Sequence, residues 1–223
     1  MDLPYLRDMN TMKKSLIVSL LLISSAGFLG ISAKYFPGAH VYGFAQAVDS
    51  SVIETQNVQD TIAGWGPESQ QLAAQMIKKY GNPQEITPSM IIWYNNGVWE
   101  KTVVYKQAME HDFPVQHNDL LEQTIVYRLP IDHIADVTTF DGSLTFRRTS
   151  GELSSAGNSE AMNFLALNLA NDIVTHNKTV VQARTEFTND ETSLIAHQQP
   201  DYALGLRFAV SPTDNADPDA PTM

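Results

Sequence analysis

Apolar positions along this chain switch between two periods. In "GPESQQLAAQMIKKYGNP", Leu72, Met76, Ile77 and Tyr80 fall on one helical face. Pro67 and Glu68 suit the first turn, while Gly81 and Pro83 mark the stop. "SMIIWYNNGVWEKTVVYK" then alternates in two β-rich runs around Asn96-Gly97, which predicts a hairpin with a type I′ turn. "LLEQTIVYRLP" alternates again, with Leu121, Ile125, Tyr127 and Leu129 on one side. "IDHIADVTTFDG" reads as a short helix closed by Asp141-Gly142, and "SLTFRRT" as a fourth strand. "NSEAMNFLALNLANDIVTHN" is the clearest helix, capped by Asn158 or Ser159, and Thr179 with Gln182 opens another through a capping box. The order α-β-β-β-α-β-α-α predicts an α+β domain over residues 65–188. It would hold a small antiparallel sheet of about four strands with the helices on one face.

The flanks read differently. "MKKSLIVSLLLISSAGFLGISA" places Lys13 and Lys14 before the apolar run Leu16–Ile31 and small residues, the pattern of a signal peptide. Cleavage is expected after Ala33, with Ala47 the competing point, and Met12 is a candidate start. The alternative is an uncleaved inner-membrane anchor over residues 16–33. Residues 34–64 read as a linker. Residues 189–223, with four prolines and six acidic residues, read as a disordered tail.

Composition narrows the function. The 223 residues are 43% hydrophobic and 17% charged, as in globular chains, with a net charge of −11. So acidic a chain lacks the basic surface that nucleic-acid binding needs. With no cysteine, disulfides, thiolate metal sites and a lipidated N-terminal cysteine are excluded. No Gly-rich phosphate loop, GxSxG or HExxH occurs.

"HDFPVQHND", residues 111–119, concentrates the remaining chemistry. Gln107–Asp119 reads as a long connection between two strands, interrupted by Pro114. His117 and Asp119 share a face if extended, and His111 could fold back as a third ligand for zinc or another divalent metal. Asp112 or Glu122 would then serve as base in a metal-dependent hydrolase. The plainer reading, which the spacing favours, has Asp112, Asn118 and Asp119 making turns while Phe113 and Pro114 anchor the loop.

Three other groups merit a role. Arg147 and Arg148 point to opposite faces of a strand, so one of them needs Glu152 or a bound anion. The asparagine arc of the long helix reads as its solvated face, with Asn163 and Asn171 nearest the apolar edge and placed for buried hydrogen bonds or a ligand. Trp93, Trp99 and Tyr105 read as core or cross-strand aromatics.

"WYNNGVWEKTVVYK", "HDFPVQHNDLLEQTIVYRLP", "FDGSL…RRTSGELS" and "EAMNFLALNLANDIV" together resemble a group of small bacterial exported proteins with no assigned function. The resemblance covers residues 65–187 and implies export, not chemistry. The leading expectation is a non-catalytic periplasmic binding or accessory protein, with a small molecule or an envelope protein as partner and no cofactor. Such a module should carry an apolar pocket bounded by an arginine and the long loop. The alternatives are the hydrolase and a membrane-tethered structural protein.

Overall fold

The computed structural model describes residues 57–210 and 219–223. The expected signal peptide, both cleavage points and most of the linker lie outside these residues. Residues 57–62 are helical, and Val58 and Ile62 are already buried, so the packed domain starts before residue 65. Helix α1 spans Pro67–Tyr80, with Lys78 and Lys79 at its C-terminal end and Gly81 at φ 79° behind it. Strands β1 (Glu85–Ile86), β2 (Met90–Asn96), β3 (Trp99–His111) and β4 (His117–Val126) follow. A 3-10 turn at Ile131–His133 leads into α2 (Ile134–Phe140). Then come β5 (Leu144–Arg147), β6 (Glu152–Gly157), α3 (Glu160–Val174) and α4 (Val180–Ile195).

The fold is α+β with one antiparallel sheet. Among the described residues it has six strands, in the order β1-β2-β3-β4-β6-β5, where about four were expected. Strand β1 has only two residues. Strand β6, "ELSSAG", is built from small side chains that rank low as strand formers. Packing explains its composition. A Cβ on Gly157 would lie 3.0 Å from Asn163 Oδ1 and 3.3 Å from Met162 Cβ, so the small residues admit α3.

The β2–β3 turn also differs from expectation. Asn96 pairs with Trp99, leaving Gly97-Val98 as the loop, with positive φ only at Gly97 (74°). That is the type II′ pattern rather than I′.

Ile91, Val104 and Leu121 stand directly opposite one another and pack under α1 with Leu72, Ala73 and Met76. Ile125 and Leu153, also paired, pack under α3. Leu121 and Ile125 are four apart in β4, so α1 and α3 cover the same face of the sheet.

Helix α3 corrects the solvated-face reading. Ser159 caps it through Met162 N–H as expected, but Asn163, Asn168 and Asp172 are buried. Asn163 donates to Leu121 O and Gln123 Oε1 (both 3.1 Å), and Tyr127 donates to Asn171 Oδ1 (3.1 Å). Asn168 donates to Tyr202 O and Gly205 O (both 2.8 Å) and accepts from Arg207 N–H. Carboxamides take these sites because each can satisfy backbone donors and acceptors that would otherwise be buried unpaired. Residues 189–210 are therefore not the disordered tail that was expected. Helix α4, opened by the Thr179–Gln182 capping box, runs to Ile195, and the chain to Val210 lies along α3.

Candidate functional site

The segment Gln107–His111 is not loop but the end of β3. A register shift between Val104 and Met109 makes room for extra residues, and its backbone is bonded elsewhere: Ser69 Oγ donates to Lys106 O, and Lys106 N–H to Ser89 O. The bulge re-aims the strand end. His111 then lies directly opposite His117, and Met109 opposite Asp119. The connection shrinks to residues 112–116. Its tip is held on α4 by Phe113, edge-on to Phe187 with ring centroids 5.6 Å apart and with Arg184 Cζ 3.5 Å from its centroid.

This register brings His111, His117 and Asp119 together, with one ligand atom from each within 4.8 Å of the others. His111 Nδ1 lies 3.3 Å from Asp119 Oδ2, and His117 Nε2 lies 3.2 Å from Asp119 Oδ1. Neither contact is aligned as a hydrogen bond, and His111 Nδ1 and Asp119 Oδ1 are buried without a hydrogen-bond partner. The outer nitrogens face acceptors of their own. His117 Nδ1 is 2.7 Å from Val115 O and 3.8 Å from Glu191 Oε1, while His111 Nε2 is 3.5 Å from Asp141 Oδ1. A carbonyl can only accept, so His117 Nδ1 carries a proton, and in the neutral ring the Nε2 lone pair faces Asp119. His111 lies between two carboxylates, Asp119 at its Nδ1 and Asp141 at its Nε2, and in its Nε2–H tautomer the Nδ1 lone pair faces Asp119 as well.

Two lone pairs and a carboxylate facing one another repel unless a cation or a shared proton lies between them. Burial, the largest influence on His117, pushes its pKa down, but Asp119, the Val115 carbonyl and Glu191 together raise it above the ordinary histidine value. Burial raises the Asp141 carboxyl, against Ser143 and His111. It raises Glu191 likewise, against His117 and the Val115 N–H. All of these are the responses of buried groups in a negatively charged cluster.

Asp141 and Glu191 escape a sequence reading. Asp141 reads as a helix-ending residue, and Glu191 falls in the supposed tail. One signal was available: Ala183, Phe187 and Glu191 repeat every four residues and are the buried stripe of α4.

The remaining candidates lie elsewhere. Glu122 alternates to the face of β4 opposite Asp119 and accepts from Tyr105 Oη at 2.8 Å, so it cannot act as a base at the cluster. Asp112 is exposed in the loop and joins none of the cluster's contacts. Arg147, its side chain 68% exposed, meets Glu152 at 3.3 Å, and Arg148 meets Asp219 at 2.9 Å. Neither arginine lines the two best-formed concavities among the described residues. Trp93 and Trp99 are buried, and Tyr105 is half-buried.

The concavity beside the cluster is a cleft of about 590 Å³ between α1 and the β3–β4 end, with His117 on its border. Its lining is polar, and no arginine or lysine belongs to it. The expected apolar, arginine-bounded pocket is therefore not what the described residues form.

No protein-family model, curated protein or solved structure matches this chain significantly.

Proposed function

We propose that the chain is a non-catalytic protein of the bacterial periplasm that binds one divalent cation of the zinc class through His111, His117 and Asp119. One observation carries this reading: two imidazoles whose outer nitrogens face a carbonyl and a carboxylate turn their inner nitrogens onto a carboxylate whose Oδ1 has no hydrogen-bond partner. Metal-binding histidines are commonly oriented in this way, the outer N–H donating to a carbonyl or carboxylate. Nitrogen and oxygen donors together suit zinc and its first-row neighbours.

A hydrolase is the second reading, because three protein ligands leave one tetrahedral position for water. The surrounding carboxylates speak against it. Asp141 and Glu191 sit at the outer nitrogens, Glu122 is on the other face, and Asp112 is outside the cluster. None is placed to take a proton from a metal-bound water.

Equilibrium dialysis against zinc, followed by metal analysis, tests the proposal. One zinc per chain is expected, falling to background in His117→Ala. Absence of stoichiometric zinc, or zinc retained undiminished by the variant, would contradict it. Export rests on Lys13, Lys14 and the apolar run Leu16–Ile31. Mass spectrometry of the exported protein should find a cleaved N-terminus, and an intact one would favour the membrane tether.

A further inference from the structure

We infer that the cleft beside the histidine cluster is a binding site for a neutral saccharide. Gln71 and Gln75, one turn apart on α1, form one wall. Gln116 and Asn118 at the hairpin form the other, and Asn158, just before α3, closes the end. Asn118 Nδ2 donates to Glu68 Oε2 at 2.7 Å and ties the two walls together. The side chains of Gln71, Gln75, Gln116 and Asn158 hydrogen-bond to no other described residue. Four carboxamides thus face one concavity with their donors and acceptors free.

The chemistry of the lining selects the ligand. Its formal charges are the carboxylates of Glu68 and Glu110, with no lysine or arginine and with His117 only at the border, so the lining offers phosphate, sulfate and carboxylate ligands no fixed cation. The apolar members, Leu72 and Leu120, are both buried, which leaves no exposed platform for a lipid tail or an apolar peptide side chain. A carboxamide presents a donor and an acceptor side by side, and adjacent sugar hydroxyls present the matching pair. Carboxylates accept further hydroxyl protons. The volume falls in the ordinary range for small-ligand sites. The cleft shares only His117 with the histidine cluster, and none of the four carboxamides belongs to that cluster.

The test is a titration of the isotope-labelled full chain by NMR. The probes are two neutral trisaccharides, maltotriose and triacetylchitotriose, with anionic trigalacturonate and cationic spermidine as contrasts. At least one neutral sugar should give saturable shifts in the side-chain amides of Gln71, Gln75, Gln116 and Asn158. Trigalacturonate should give none. The double variant Gln71→Ala/Gln75→Ala changes exposed helix positions and keeps the fold, as its unperturbed core resonances would show. It should bind the same sugar at least about tenfold more weakly, the effect of losing one or two good hydrogen bonds. No saturable shift with either neutral sugar would overturn the assignment. So would binding confined to spermidine or trigalacturonate, or sugar binding undiminished in the double variant.

Discussion

Two polar clusters lie against the sheet of this protein, and they are built on opposite rules. At the first, Glu160 in the opening turn of α3 accepts from Trp99 Nε1 (2.7 Å), Tyr80 Oη, Gln123 Nε2 (3.3 Å) and Lys79 Nζ. Every partner is a donor, and together they tie α1, β3, β4 and α3 to one carboxylate. At the second, His111, His117, Asp119, Asp141 and Glu191 bring two imidazoles and three carboxylates together, with acceptors facing acceptors. The first is saturated and needs nothing further. The second is incomplete, and an incomplete buried cluster is where a ligand is expected. Composition does not separate them, since both are acidic and both are largely shielded from solvent. What separates them is the balance of donors and acceptors.

This contrast can be broken by mutation. The largest effect should come from Glu160→Ala. It strands buried donors from three elements and should lower unfolding stability by about 3–5 kcal/mol, the cost of breaking a buried charged network. Urea denaturation would read it, and a loss below roughly 1 kcal/mol, the scale of one ordinary hydrogen bond, would mean that the hub is not a keystone. The same residue gives a pH signature. Burial pushes its carboxyl up, but Lys79, Tyr80 and Trp99 outweigh burial and hold it below the ordinary glutamate value. A depressed folded pKa contributes stability above the unfolded value, and that contribution is lost as the pH falls through the folded one. Acid unfolding should therefore show this component in the wild type and lack it in Glu160→Gln.

The opposite response is expected at the second cluster. Asp119→Asn removes the charge that the lone pairs face. Zinc binding should weaken at least about 100-fold, as for loss of a direct ligand. At a pH where both rings are neutral, the metal-free protein should keep its stability within about 1 kcal/mol, because a carboxylate facing lone pairs is lost together with its contacts. Calorimetry with and without zinc separates the two quantities. A large metal-free destabilisation would place Asp119 in the structural class with Glu160. Asp141→Asn acts through His111 and should cost about 10–100-fold in zinc affinity, the range for an orienting partner. A comparable loss of metal-free stability would make Asp141 a helix-end support instead. Arg147→Ala sets the floor. Its pairing with Glu152 is largely exposed, so the change should cost under about 0.5 kcal/mol.

The parts that local pattern controls could be read from the sequence. The faces of α1, the Ser159 cap and the Thr179–Gln182 box depend on neighbours within one turn. The juxtaposition of His117 and Asp119 follows from strand alternation. What could not be read depends on partners distant in the chain. Strand β6 is small because α3 must approach it, so its residues look like loop. Asn168 is buried by a segment more than thirty residues downstream, so it looks solvated. The extra residues between Val104 and Met109 turn a supposed loop into the strand end that carries His111. Without that shift His111 has no fixed relation to His117. The carboxylates behind the two rings come from two further helical regions and have no spacing signature.

Nitrogen-15 NMR of the imidazole side chains addresses the central claim most directly. At mildly alkaline pH without metal, His117 should carry its proton on Nδ1 and His111 on Nε2. Adding one equivalent of zinc should then shift His117 Nε2 and His111 Nδ1, and leave the outer nitrogens protonated. Opposite tautomers, or rings unmoved by zinc, would contradict the account and make the cluster a buried polar network like the one around Glu160.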